Sequence, residues 1–165
     1  MMISGNRGNF MTYDELLMEA DEAGLIVKEA PLALNDGLCV GNKIAIRKDI
    51  VTSVQKADVL AEELGHHFTT VGNIIEMQNS ADEKQERAAR LWAYNKQIGL
   101  SGIIEAFKAH RSDRFDIAEF LGVSEEFLAE ALECYRQIYG TGIMIDNYYV
   151  RFEPNLQVLS YLLVN

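Results

Sequence analysis

The stretch Val59-Leu60-Ala61-Glu62-Glu63-Leu64-Gly65-His66-His67 constrains this chain more than any other. Val54, Ala57, Leu60, Ala61, Leu64 and Phe68 recur at three- and four-residue spacings. That is the period of an amphipathic helix, expected over residues 53–69, whose apolar stripe must be buried against other elements. Its remaining surface carries two of the chain's three histidines beside two adjacent carboxylates. Glu62 and His66 stand four apart, so they leave one face with Cβ atoms about 5–6 Å apart, a separation at which two ligands can grip one metal ion. Glu63 falls about 100° further round the helix, where a carboxylate reaches water beside such an ion without ligating it. By spacing alone, a solvated polar face bearing a Glu/His pair is the more frequent explanation.

The flanking sequence reads as an α+β protein. Thr12 and Glu15 form a capping box before Leu16, Leu17, Ala20 and Ala23, and Gly24 closes that helix. Leu25-Ile26-Val27 is expected as a strand, and Leu38-Cys39-Val40 and Lys43-Ile44-Ala45-Ile46 as a hairpin around Gly41-Asn42. Together they predict a small antiparallel sheet packed on helices. A polar loop after Thr70 leads to a second capping box, Ser80 with Glu83, opening a helix with Glu86, Ala89, Trp92 and Ala93. Residues 101–110 predict another helix. Residues 115–139 have a helix-turn-helix pattern, with Gly122 at the turn and Ser124 as N-cap. A hairpin around Asp146-Asn147 follows, then Pro154 and a final strand within 156–164.

At the central helix the chain resembles zinc-dependent peptidases bearing His-Glu-x-x-His, with Glu62 in place of the first histidine, giving Glu-Glu-x-x-His. Its surroundings are similar to ImmA/IrrE-type metallopeptidases of prophages and mobile elements, from about Met11 to about Tyr139. The resemblance implies a minimal zincin-like core, here over residues 11–100. A helix-turn-helix-like segment with a terminal hairpin, residues 101–165, would pack on it. In that family a third ligand comes from the next helix in the pattern Glu-x-x-Ala-x-x-x-Ala, which Glu86, Ala89 and Ala93 reproduce. The implied site has Glu62, His66 and Glu86 as metal ligands and Glu63 as the general base for a metal-activated water. His67 is expected as a partner behind the ligands or beside the cleft rather than as a ligand. Zn²⁺ is the implied ion, and the harder Glu/His/Glu set favours Mn²⁺ relatively more than the usual set does. The implied activity is endoproteolysis of a helix-turn-helix repressor of a prophage or mobile element.

Other function classes fit less well. A net charge of −10 opposes general binding to nucleic acid, and the second helix of the helix-turn-helix pattern carries Glu125, Glu126, Glu130 and Glu133. A DNA-binding regulator is therefore disfavoured, and direct nucleic-acid binding is not expected. No run of 18 apolar residues exists, so no membrane span is expected. Residues 1–10 lack an apolar signal core and read as a flexible leader, with Met11 as an alternative start. Cys39 and Cys134, without metal-type spacing, read as reduced core residues of a cytoplasmic protein. The substituted first ligand keeps a second class open: a non-catalytic module that holds a repressor or antitoxin on a degenerate peptidase scaffold.

Overall fold

The computed structural model describes residues 10–70 and 79–161. Residues 1–9 of the expected leader, 71–78 of the expected polar loop, and 162–164 of the expected last strand lie outside the described residues. Helix α1 spans Tyr13–Glu22 behind the capping box read from sequence: Glu15 N–H donates to Thr12 Oγ1 at 3.2 Å, and Thr12 N–H to Glu15 Oε2 at 2.8 Å. Gly24, at φ +77°, lets the chain reverse while Leu25 N–H returns to Ala20 O. Buried Gln97 accepts from Met11 N–H and donates to Met11 O, which pins the start of the fold.

Strands β1 (Ile26–Ala30), β2 (Gly37–Val40) and β3 (Lys43–Arg47) form one sheet in the order β1-β3-β2. The β2–β3 hairpin is antiparallel around Gly41, but β1 runs parallel to β3, with Ile26 opposite Lys43. The sheet is therefore mixed, which corrects the expectation of antiparallel pairing throughout. Burial explains the order: β3 carries Ile44 and Ile46, 2% and 0% exposed, and so takes the centre. Residues 31–36 carry the chain past that central place to the far edge, and the hairpin then returns β3 into the gap.

Helix α2 (Ser53–Thr70) buries Ala57, Leu60, Ala61 and Leu64. Val54 and Phe68, read as part of the same stripe, lie at its ends and are each 38% exposed. Helix α3 (Asn79–Gln97) begins one residue before Ser80, whose expected cap contact lies outside the described side chains. Helix α4 (Gly99–Lys108) starts and stops two residues earlier than the expected 101–110. Helices α5 (Arg114–Leu121) and α6 (Glu125–Tyr139) meet at Gly122, φ +68°, and Ser124 caps α6 by accepting from Phe127 N–H at 3.1 Å. Strands β4 (Gly142–Ile145), β5 (Tyr148–Arg151) and β6 (Gln157–Ser160) make an antiparallel meander. One apolar cluster runs from Leu16 through α2, α3 and α6 to Val158. Among the described residues no helix is long and apolar enough to cross a membrane.

Asp58 is the exception on the buried side of α2. It is 7% exposed, and its Oδ2 accepts from Ser124 N–H at 3.1 Å, tying α2 to the start of α6. Burial pushes its carboxyl up to about 7; Ser124 opposes the rise, and Glu130 and Glu126 of α6 add to it. A carboxyl with a raised native pKa contributes most stability when protonated and loses it as pH rises from the ordinary value to the native one. Wild-type stability should therefore fall relative to Asp58→Asn between about pH 4 and pH 7, leaving the variant more stable at pH 8 by on the order of 3 kcal/mol. Urea unfolding of both proteins across that range measures the difference. Parallel curves would mean the charge carries no cost.

Candidate metal centre

Gly65 explains how two helices come to share one site. A Cβ built on it would stand 2.3 Å from the carbonyl oxygen of Ala89, so α2 and α3 touch backbone to backbone at this point. Ala89 and Ala93, both fully buried, keep the α3 side of the contact equally slim. The close approach places Glu62 and His66 of α2 opposite Glu86 of α3. Each offers one ligand atom, and these atoms lie within 4.8 Å of one another, the one such group among the described residues. Ligands about 2.1 Å from a tetrahedral ion stand roughly 3.4 Å apart, and His66 Nε2 is already 3.5 Å from Glu86 Oε1. The three ligand atoms thus lie near the spacing a divalent ion needs, and the donor set of one imidazole and two carboxylates suits such an ion.

Glu63 points from α2 toward the edge strand β2. A Cβ on Gly37 would stand 2.6 Å from Glu63 Oε1, so a glycine there is what lets the strand run beside the carboxylate. Burial, then the neighbouring Glu62 and Glu86 carboxylates, push the Glu63 carboxyl up to about 7. An acid–base group near the working pH can both accept and return a proton. Cys39, also on β2, lines the same cleft, and burial followed by the nearby Glu63 raises its thiol pKa. The cleft has a volume of about 930 Å³ and runs between β2, α2 and α3.

His67 turns away from the candidate ligands. Its Nδ1 lies 3.2 Å from Gly41 O, and its ring meets Phe68 edge-on at 5.1 Å. It lines the cleft as a strut between α2 and the β2–β3 turn, and a contact to a ligand is not among its described ones. Thr69 and Thr70 donate to the Gly65 and His66 carbonyls of their own helix, as hydroxyls at a helix end commonly do. Tyr94 is packed against Phe127, with its hydroxyl donating to Glu130.

Reading the residues in order missed Arg90. Its Nε donates to Glu62 Oε1 at 3.4 Å and lies 4.0 Å from Glu86 Oε2, offsetting part of the charge of both carboxylates. The signal was available in part, since Arg90 stands four residues after Glu86. Its link to Glu62 crosses between helices and leaves no mark in spacing. Gly37 and Asp58 were missed for the same reason.

The fold is that of a minimal zincin-like metallopeptidase core with a C-terminal hairpin. Residues 20–133 match the Peptidase M78 family, described as the IrrE N-terminal-like domain, and the chain belongs to this family of metal-dependent peptidases. The match opens in α1 and closes in α6, so it includes both helices of the candidate centre. No curated protein and no solved structure matches the chain.

Proposed function

We propose that the chain is a metal-dependent endopeptidase that cleaves a helix-turn-helix repressor of a prophage or mobile element in the cytoplasm. The observation that carries the reading is the convergence of Glu62, His66 and Glu86 beside the half-buried Glu63 carboxylate and strand β2, which has no further strand beyond it among the described residues. The three residues would hold Zn²⁺, or Mn²⁺ given the two carboxylates, as ligands. A bound ion supplies Lewis acidity, polarising the scissile carbonyl and lowering the pKa of water beside it.

The chain's own residues do the rest. Among the described residues β2 has no strand beyond it, and its outer edge would offer backbone N–H and C=O groups to an extended substrate segment, setting its direction along the cleft. Glu63 takes the proton of the attacking water and passes it to the departing amine. Gly37 keeps the strand close enough that the peptide lies against Glu63. The acidic outer turns of α6, with the overall charge of −10, support a protein substrate over direct contact with nucleic acid.

Arg90 favours a second reading, because a guanidinium bridging Glu62 and Glu86 can also satisfy those carboxylates in a non-catalytic repressor- or antitoxin-binding module. Metal content by mass spectrometry separates the two. Wild type should carry about one transition-metal ion per chain, with His66→Ala and Glu86→Ala reduced to background. No retained metal, together with no rise in melting temperature on adding Zn²⁺ or Mn²⁺, would leave the binding module as the better account.

A further inference from the structure

Arg90 is the one lysine or arginine among the described residues that line the cleft, where it stands with the carboxylates of Asp36, Glu62, Glu63 and Glu86. An exposed pair four residues apart on one helix, such as Glu86 and Arg90, is commonly a surface contact of little consequence. The shorter contact of Arg90 leaves its own helix. Its Nε lies 3.4 Å from Glu62 Oε1 on α2, against 4.0 Å from Glu86 Oε2 on α3. Glu86 is divided between two neighbours, with Oε1 3.5 Å from His66 Nε2 and Oε2 turned to Arg90. The guanidinium thus engages one oxygen of each candidate carboxylate ligand. Ala89, the residue before Arg90, is the one whose carbonyl lies against Gly65, so the reach from Arg90 to Glu62 is set where the two helices touch.

That division bears on which ion the residues select. A carboxylate binds a cation through one oxygen or through both. Both oxygens of Glu62 and of Glu86, added to His66, would make an oxygen-rich set of high coordination number, which suits Mn²⁺. One oxygen from each, with the imidazole nitrogen, leaves three protein donors and an open position, the tetrahedral arrangement of catalytic zinc sites. A guanidinium can enforce the second arrangement, because its planar fork of N–H groups fixes direction as well as supplying charge. We propose that Arg90 is a positioning residue that keeps Glu62 and Glu86 as single-oxygen ligands, and so keeps this Glu/His/Glu set selective for Zn²⁺ over Mn²⁺. The inference rests on the metal-dependent reading of the site.

The test uses the full chain stripped of metal by chelation, with Arg90→Leu and Arg90→Gln beside wild type. Dissociation constants for Zn²⁺ and for Mn²⁺ are measured by competition with a chromophoric chelator. Wild type should prefer Zn²⁺, and in both variants that preference should shrink by at least about tenfold, mainly through weaker Zn²⁺ binding. Co²⁺ reports the coordination itself, since its visible absorption is strong with four ligands and weak with six. The wild-type Co²⁺ protein should absorb strongly, and the variants should lose at least about half of that intensity. The Arg90 side chain is exposed, so the metal-free variants should melt with wild type, and a folding defect would not reproduce the spectral change. Tighter binding of both ions in the variants would make Arg90 a competitor of the metal and overturn the proposal. An unchanged preference or an unchanged Co²⁺ spectrum also overturns it, while leaving the metal centre standing. A wild type that binds none of these ions overturns the metal centre, and the role of Arg90 with it.

Discussion

Glu63→Gln should lose peptide cleavage by about 10²–10⁴-fold while still binding metal. The substitution keeps size and shape beside Gly37, where an added Cβ would stand 2.6 Å from Glu63 Oε1, so the β2 edge and the cleft are retained. On the proposed reading it removes the group that takes a proton from water and returns it to the leaving amine. It also removes a carboxylate that burial and two neighbouring carboxylates hold up near 7, so the folded protein should not be weakened by the change. Cleavage of a co-expressed repressor, followed by gel over time beside metal content and melting temperature, reads all three effects. A variant that cuts as fast as wild type would remove Glu63 from the mechanism. A variant that cuts nothing but also binds no metal would point to a damaged site rather than a missing base.

Gly65→Ala should destabilise the fold by about 1–3 kcal/mol and weaken metal binding at the same time. The sign is the informative part, because the same change in an exposed helix stabilises by up to about 1 kcal/mol through helix propensity. Here the added carbon would stand 2.3 Å from Ala89 O and 3.0 Å from Ala89 C. Both are backbone atoms of a helix, and no side-chain rotation can move them away. The two helices must separate, and Glu86 then moves away from Glu62 and His66, since the former rides on α3 and the latter pair on α2. Denaturant unfolding with and without Zn²⁺ measures both consequences, and the metal-dependent part of the stability should shrink. A stabilised variant with unchanged metal affinity would show that the helices are not held at this contact.

The family resemblance and the structure bear on different parts of the site. The Glu62/His66 pair is an α-helical spacing, so its common face could be read from four residues of sequence. Glu86 could not be tied to them by any period, because residues 71–78 intervene; its role came from the pattern it shares with the family. Arg90, Gly37 and His67 show the reverse case. Each has an ordinary local reading, as a surface cation, a loop glycine or a candidate partner of the ligands. What each touches depends on how α2, α3 and β2 pack.

By itself the sequence determined what local chemistry decides: the Thr12/Glu15 cap, the turns at Gly41 and Asp146-Asn147, the Gly122–Ser124 corner, and the amphipathic register of α2. These follow from neighbouring residues, whose backbone preferences and hydrogen bonds do not wait for the rest of the chain. Only the tertiary structure decided that β1 runs parallel to β3, that Gly65 lies on Ala89, and that Asp58 faces the start of α6 and accepts from Ser124 N–H. Those outcomes join residues with no fixed spacing between them. They were settled by which apolar faces could be buried together, with β3 at the centre of its sheet and α2 enclosed by everything around it.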